Sequence, residues 1–121
     1  MTELTTGTDL VPTARKDGDT VIAKLHGEID LHNSTELRDA ILTVLLPANP
    51  KKLVLDLGEV PYMDSSGLAV LVEALKRMQR HTGRVVLVNL QPRVRGLLEI
   101  ARLNTLFMIA KDEQEALSMK L

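Results

Sequence analysis

The stretch "KKLVLDLGEVPYMDSSGLAVLVEALKRMQ", which runs from Lys51 to Gln79, changes its hydrophobic period along its length. Its first part, "KKLVLDL", is apolar at nearly every position, as expected of a short strand covered on both faces of a sheet. Beyond Asp64 an apolar stripe at helical spacing predicts an amphipathic helix. The stripe consists of Leu68, Leu71, Val72, Leu75 and Met78. A buried strand followed by a helix is half of a βαβ unit, so the stretch indicates an α/β fold.

The segments before this stretch predict two strands and a helix. "VPTARKDGDTVIAKLHGE" reads as two strands joined at Asp17 and Gly18, a dipeptide that accepts the positive φ angles of a tight hairpin. Pro12 has no N–H to donate, so we expect the first of these strands at the edge of the sheet. "LHNSTELRDAILTVLL" has helical spacing, and Asn33 with Glu36 forms a capping-box pattern at its start.

The segments after this stretch continue the alternation of strand and helix. "RVVLVNL" and "LFMI" predict two further strands. Gly83 is expected to end the long helix, Pro92 to begin the next one, and Asp112 with Glu115 to cap the last. The predicted order is ββαβαβαβα. This order predicts an α/β fold with a mixed β-sheet whose parallel strands are joined by right-handed βαβ crossovers.

Length and composition limit the classes of function that the protein can have. A chain of 121 residues with 45% apolar residues fits one domain, residues 1–121, of which residues 1–9 are expected to be flexible. The 15 basic and 16 acidic side chains nearly balance, and the two aromatic residues offer no stacking platform, so no nucleic-acid surface is indicated. Cysteine is absent, and no apolar run approaches the roughly 18 residues of a membrane span. We therefore expect a cytoplasmic protein without a membrane span.

An aspartate and two serines at the start of the long helix form the candidate site. Asp64 is placed as the N-cap, where its carboxylate can accept a bond from the amide of Ser66 or Gly67. Ser65 and Ser66 then occupy the first turn, beyond the carboxyl end of the parallel strands, and are expected to be exposed. Gly67 costs about 1 kcal/mol inside a helix, which indicates close approach by something else, such as a partner surface. Helix capping without further function explains the same composition equally well.

A catalytic serine would be a different use of the same residues. The nucleophile elbow G-x-S-x-G is absent, and a serine nucleophile needs a positioned base. His26 falls on a predicted strand and His81 at the far end of the helix, which leaves His32 as the one imidazole able to come close. P-loop, G-x-G-x-x-G and metal-ligand patterns are absent. We therefore predict that the protein is not an enzyme and has no catalytic residue, metal site or cofactor.

Two segments resemble a known family. "LHGEIDLHNSTELRDAI" resembles the Gly-Glu-Ile/Leu-Asp segment of STAS domain proteins, which leads into their first helix. "LVLDLGEVPYMDSSGLAVLVEALKRMQRHTGRVVLVNLQPRVRGLLEIARL" resembles their central block, with its specific Asp-Ser-Ser/Thr-Gly-Leu core. The resemblance covers nearly the whole chain. Within the family, the chain resembles the small single-domain anti-anti-sigma factors, which are also called anti-sigma factor antagonists.

The resemblance implies a partner-switching function. In this family the unphosphorylated protein binds an anti-sigma factor that is also a serine kinase with a histidine-kinase-like ATPase fold, and binding releases the sigma factor. Phosphorylation on serine abolishes the complex, and a PP2C-type phosphatase restores it. The alternative function within the family is a STAS subunit of a transporter or a stress-signalling complex, which binds its neighbour without being phosphorylated.

The resemblance also implies roles for particular residues. The phosphorylated serine of relatives directly follows the motif aspartate, which is Ser65 here, and Ser66 is the alternative acceptor. Asp30 matches an aspartate implicated in phosphorylation or partner binding, although a purely structural loop carboxylate is the other interpretation. Ala69 replaces a glycine that is usual in relatives. The expected partner contacts are Asp30, Asp64, Ser65, Ser66, Gly67 and Leu68.

Three arginines late in the chain have two interpretations. Arg93, Arg95 and Arg102 could form a basic edge for an acidic partner. A solvated helix face is the favoured interpretation, because charged residues on amphipathic helices usually face water.

Overall fold

The computed structural model describes residues 1–120, and these contain one six-stranded sheet and four α-helices. The strands are β1 (Thr2–Glu3), β2 (Thr13–Asp17), β3 (Thr20–His26), β4 (Lys52–Glu59), β5 (Arg84–Val88) and β6 (Met108–Ala110). The helices are α1 (Ser34–Ala40), α2 (Ser65–Gln79), α3 (Pro92–Ile100) and α4 (Glu113–Ser118).

The sheet follows chain order, β1-β2-β3-β4-β5-β6. The pairs β1/β2 and β2/β3 are antiparallel, whereas β3, β4, β5 and β6 are mutually parallel and are connected through α1, α2 and α3. The predicted mixed sheet with helical crossovers is therefore confirmed. The predicted hairpin is confirmed too, since Asp17 pairs with Thr20 and Gly18 has a φ of +61°.

The N-terminal segment contains a strand that the sequence analysis does not predict. Thr2 and Glu3 form β1, which pairs with Lys16 and Arg15 of β2. Consequently β2 is not the edge strand. Pro12 lies one residue before β2 begins, so its missing N–H removes no hydrogen bond from the ladder and imposes no edge position.

The first helical segment also contains contacts that its sequence pattern did not predict. After α1 the chain continues as a π-helical turn, Ile41–Leu45, and a 3₁₀ turn, Leu46–Ala48. The predicted capping box is absent, because the Asn33 side chain makes no bond to the helix amides. Instead its Oδ1 accepts from the Asp30 amide at 2.9 Å and its Nδ2 donates to the Glu28 carbonyl at 2.9 Å. Asn33 therefore braces the loop before α1.

Gly83 follows α2 for a different reason from the one predicted. The residue with positive φ after α2 is Thr82, at +59°, and not the glycine. Gly83 donates its N–H to the Met78 carbonyl at 2.8 Å, and a Cβ built on it would lie 2.7 Å from the Met78 Cε. The missing side chain thus allows close packing at the helix end.

The core lies mainly between the long helices and one face of the sheet. The predicted apolar stripe of α2 faces this core, with Leu68, Leu71, Leu75 and Met78 buried. The opposite face of the sheet carries a smaller apolar cluster beneath α4, formed by Ile22, Val54, Val86, Val88, Ala110 and Ala116. With α2 fixed along its whole length, its first turn is held at the carboxyl ends of β3 and β4.

Gly67 provides a test of how closely this first turn is packed. A Cβ at this residue would lie 2.6 Å from the Met63 Cγ and 2.8 Å from the Ile29 Cγ2. Although alanine favours a helix by about 1 kcal/mol, we expect Gly67→Ala to destabilise the fold by about 1–3 kcal/mol through overpacking. Urea unfolding measures this change in the free energy of unfolding.

Gly96 offers the matched control. It lies inside α3, and a Cβ there has no other heavy atom within 4 Å. Gly96→Ala is therefore expected to stabilise the protein by about 0.4–1 kcal/mol. An equal gain in stability from both substitutions would show that the first turn of α2 is not closely packed.

Candidate functional site

Two loops meet at the carboxyl ends of β3 and β4. The Ile29 amide donates to the Tyr62 carbonyl at 3.1 Å, and the Asp64 amide donates to the Ile29 carbonyl at 3.1 Å. Ile29 and Met63 are thereby paired as an isolated parallel bridge beyond the strands. This pairing brings the loop that precedes α1 alongside the start of α2.

The Asp64 carboxylate connects the two loops. Its Oδ1 accepts from the amides of Ser66 and Gly67 at 2.9 and 3.2 Å, which confirms the predicted N-cap. The same oxygen accepts from the Ser66 hydroxyl at 2.5 Å. The other oxygen, Oδ2, accepts from the Leu31 amide at 3.1 Å. One side chain thus holds the start of α2 and the neighbouring loop together.

These hydrogen bonds also set the charge of the site. The pKa of Asp64 lies below its ordinary value, chiefly because the Ser66 hydroxyl donates to the carboxylate. The backbone amides lower the pKa further, whereas partial burial acts in the opposite direction. Asp64 is therefore ionised at neutral pH.

The two serines of the motif have different environments. Ser66 is half-buried, and its hydroxyl is committed to Asp64. Ser65 is exposed at the first residue of α2, and its hydroxyl makes no hydrogen bond with any part of residues 1–120. Of these two hydroxyls, that of Ser65 is therefore the one free to react with a group from outside.

Asp30 lies in the loop whose Leu31 amide donates to Asp64, but the Asp30 carboxylate forms its hydrogen bond within that same loop. Its Oδ1 accepts from the His32 amide at 2.9 Å, and its carbonyl accepts from the Ser34 amide at 2.8 Å. No hydrogen bond links Asp30 to Ser65 or Ser66 within the described chain. His32 is exposed, and within residues 1–120 its ring makes no hydrogen bond to Ser65 or Ser66, so the structure does not pair this imidazole with a hydroxyl of the motif.

The structure buries Gly67 and Leu68, two of the residues expected at the partner surface. Gly67 is buried, and the close approach that requires a glycine comes from Ile29 and Met63 inside the protein. The close approach expected at Gly67 is therefore made by the protein's own side chains, and partner contact at Gly67 and Leu68 stays a prediction. Leu68 is 7% exposed and belongs mainly to the core. The surface of the first turn is formed by Ser65 and Ala69, which are both exposed.

Glu59 is an acidic side chain near the site whose charge is compensated. Glu59, at the end of β4, pairs with the Lys24 ammonium and with the His26 Nδ1, both at 2.9 Å. The hydrogen bond from Lys24 is the largest cause that lowers the pKa of Glu59. The Arg93 guanidinium lies 4.7 Å from the centroid of the Tyr62 ring, so Arg93 stacks on the site loop. Arg93, Arg95 and Arg102 are all exposed.

The sequence analysis missed two apolar residues. Leu31 is 75% exposed, although its amide is held by Asp64. Leu103 follows α3 and lies beside α2 in a surface depression that also includes Ser65. Leu31 could have been noticed as an apolar residue in a polar loop, but no local pattern connects Leu103 with α2.

Two other classes of site can be assessed within residues 1–120. No group of three or more His, Asp or Glu side chains there is arranged to hold a metal ion. None of the helices in that range is both long and apolar enough to cross a membrane.

Comparison with known proteins agrees with this architecture and motif. The family model for the STAS domain matches residues 11–116. The chain belongs to the STAS domain family. It is 35% identical to the anti-sigma-B factor antagonist of Listeria monocytogenes, over 83% of this chain and 87% of that protein.

Two solved structures are similar over most of their length. An anti-sigma factor antagonist from Mycobacterium paratuberculosis is 25% identical, with a TM-score of 0.78 over 87% of this chain and 88% of that one. The Bacillus cell-fate determinant SpoIIAA in its phosphorylated form is 26% identical, with a TM-score of 0.66 over 86% and 94%. The resemblance to STAS domain proteins of the anti-sigma factor antagonist type is confirmed.

Removal of the Ser66 hydroxyl tests the hydrogen bonding of Asp64. In Ser66→Ala the largest cause of the lowered pKa is lost, so the pKa of Asp64 should rise toward its ordinary value. Carboxyl ¹³C shifts followed by NMR during an acid titration measure this pKa. Ser118→Ala, which removes a hydroxyl that donates to the Glu115 carbonyl, is the control.

The same substitution has a consequence for stability. A carboxyl whose pKa is lower in the folded than in the unfolded state stabilises the fold above its unfolded pKa, and this contribution is lost as the pH falls through the folded pKa. In Ser66→Ala the contribution of Asp64 should be smaller and should be lost at a higher pH. An unchanged pKa of Asp64 would contradict the observed hydrogen bonding.

Proposed function

We propose that this protein is an anti-sigma factor antagonist that works by partner switching. In its unphosphorylated form it binds an anti-sigma factor that is also a serine kinase, and the sigma factor is released. The kinase phosphorylates Ser65, which ends the complex, and a PP2C-type phosphatase removes the phosphate. In this role the protein acts in the cytoplasm as a regulator of transcription and catalyses no reaction itself.

The free hydroxyl of Ser65 is the observation that supports this function most strongly. A kinase needs a hydroxyl that can reach the γ-phosphate and accept it without unfolding its own protein. Ser65 is exposed and unbonded, whereas the hydroxyl of Ser66 is held by Asp64. This difference favours Ser65 over Ser66 as the acceptor. The relatives named as anti-sigma factor antagonists support the wider function.

The physical effect of a phosphate at Ser65 differs between the free protein and the complex. The group adds about −1.5 to −2 charges. In the free protein the helix N-terminus favours an anion by about 0.3–1 kcal/mol, against repulsion from the ionised Asp64. The pairing of Glu59 with Lys24 reduces a second source of repulsion. The phosphate is therefore compatible with the fold, as it is in the phosphorylated Bacillus relative.

In the complex the same group would be placed between two protein surfaces. Burying a charge without a cationic partner costs several kcal/mol, and each 1.4 kcal/mol weakens the affinity about tenfold. Loss of the complex follows from the charge and bulk of the phosphate alone. No change of fold is needed.

Asp30 is proposed to support the switch through its loop. Its carboxylate accepts from the His32 amide, and this loop carries the exposed Leu31, whose amide donates to Asp64. Normal phosphorylation and partner binding in Asp30→Asn would leave Asp30 with a structural role alone.

Substitution of Ser65 tests the proposed function. Ser65→Ala should bind the purified anti-sigma factor kinase of the same organism as tightly as the wild type and should not be phosphorylated. Ser65→Asp introduces a negative charge and should bind at least about tenfold more weakly. Titration calorimetry measures the affinities, and mass spectrometry locates the phosphate after incubation with the kinase and ATP.

Ser66→Ala is the matched control, because it removes the neighbouring hydroxyl and leaves the proposed acceptor. It should still be phosphorylated on Ser65. Phosphate found only on Ser66, or equal affinities for Ser65→Ala and Ser65→Asp, would contradict the assignment. Binding that persists without any phosphorylation would indicate a STAS interaction subunit instead.

A further inference from the structure

A cavity lies at the end of α2 that is remote from Ser65. It has a volume of ≈ 270 Å³ and is formed between the last turn of α2 and the segment that follows α1. Its apolar lining consists mainly of Leu42, Leu46, Pro47 and Met78. At about 30 Å³ for each water-sized group, the cavity holds a molecule of about nine non-hydrogen atoms. This volume is close to the lower end of the range for ligand pockets, so it fits a small ligand.

One wall of the cavity comes from the π-helical turn after α1. The Leu46 amide donates to the Ile41 carbonyl, five residues earlier, which makes this turn wider than an α-helical one. Such turns are rare and are frequently found at functional sites. Ile41 and Leu45 are buried in the core, whereas Leu42 and Leu46 are half-buried and line the cavity. The irregular turn therefore presents apolar side chains to the core and to the cavity.

Hydrogen bonds fix the two walls of the cavity. The Lys16 Nζ, from β2, donates to the Ala48 carbonyl at 2.7 Å and so holds the segment after α1. On the other side the Gly83 amide donates to the Met78 carbonyl at 2.8 Å, and the Met78 side chain is buried. The cavity is thus preformed, as most small-molecule sites are.

The charged residues of the cavity are all basic. Arg77, Arg80 and His81 line it, and no acidic residue of the described chain does. The Arg77 Nε donates to the Glu73 carboxylate at 3.0 Å, whereas within residues 1–120 no carboxylate lies within 4.0 Å of the Arg80 guanidinium. Basic residues are common in a last helical turn, because they complement the helix dipole, so their charge alone indicates no site. Here the charge adjoins a preformed apolar cavity, and that combination is typical of a site for an anionic ligand.

We propose that this cavity binds a small organic acid, with its apolar chain between Leu46 and Met78 and its carboxylate at Arg80 and His81. The planar guanidinium of an arginine pairs with a carboxylate through two parallel hydrogen bonds, and Arg80 is free to form them. The His81 ring supplies a further N–H donor. At 1.5 Å per residue, Arg80 is about 22 Å along α2 from Ser65. The ligand and a partner at Ser65 can therefore be bound at the same time.

Hexanoate is a suitable probe, because it combines a carboxylate with a short apolar chain. In ¹H–¹⁵N NMR spectra of the full chain, a titration with hexanoate should shift the amide signals of Leu46, Met78, Arg80 and His81 in a saturable manner. Hexanamide has nearly the same shape but no charge, and inorganic phosphate has the charge but no chain. Each should bind at least about tenfold more weakly than hexanoate.

Two arginine substitutions provide a matched pair. Arg80→Gln removes the proposed partner of the carboxylate and should weaken hexanoate binding by at least about tenfold. Arg84→Gln removes the same charge from an exposed arginine at the start of β5, which does not line the cavity. At physiological ionic strength it should bind hexanoate within about twofold of the wild type, because salt screens exposed charges outside the site. The remaining signals of both spectra should show that the fold is kept.

Selective loss of hexanoate binding in Arg80→Gln would support the site. Equal weakening in Arg80→Gln and Arg84→Gln would show general attraction of anions and would overturn the proposal, as would the absence of saturable shifts with hexanoate. Equal binding of hexanamide or of phosphate would contradict recognition of both parts of the ligand. The titration contains no kinase, so each of these results leaves the proposed function as it stands.

Discussion

The carboxylate of Asp64 is the contact on which the site depends. One oxygen caps α2 and holds the Ser66 hydroxyl, while the other holds the amide of Leu31 in the neighbouring loop. This set of bonds distinguishes two adjacent serines that look equivalent in the sequence, because it occupies Ser66 and leaves Ser65 free. It also fixes the loop and the helix start as one rigid surface, so a partner meets a preorganised shape and loses less conformational freedom on binding.

The fold places this carboxylate where it can both cap α2 and hold the neighbouring loop. Parallel strands end at the same edge of the sheet, so the loops after β3 and β4 lie side by side. Gly67 lets Ile29 and Met63 pack directly against the first turn, which no residue with a Cβ would allow without movement. The hydroxyl of Ser65 then stands outside a tightly packed layer. A phosphate added there changes the charge of the surface but displaces no core residue.

Local patterns predicted much of this arrangement, and several of the misses share one physical cause. The strand and helix order, the cap at Asp64 and the exposure of Ser65 follow from spacing within a few residues. The pairing of β1 with β2, the approach of Ile29 to Gly67 and the position of Leu103 beside α2 are contacts between distant parts of the chain. Asn33 is a different case, because bonds to residues three and five positions earlier in the chain replace its capping pattern.

The central claim is that phosphorylation changes the surface and leaves the bonds of Asp64 intact. Amide hydrogen exchange, compared by NMR between the unphosphorylated protein and the form phosphorylated on Ser65, tests this claim most directly. The amides of Leu31, Ser66 and Gly67 donate to Asp64 and should keep their protection in both forms. Loss of protection at these three amides on phosphorylation would show that the switch works by rearranging the site, which would contradict the account.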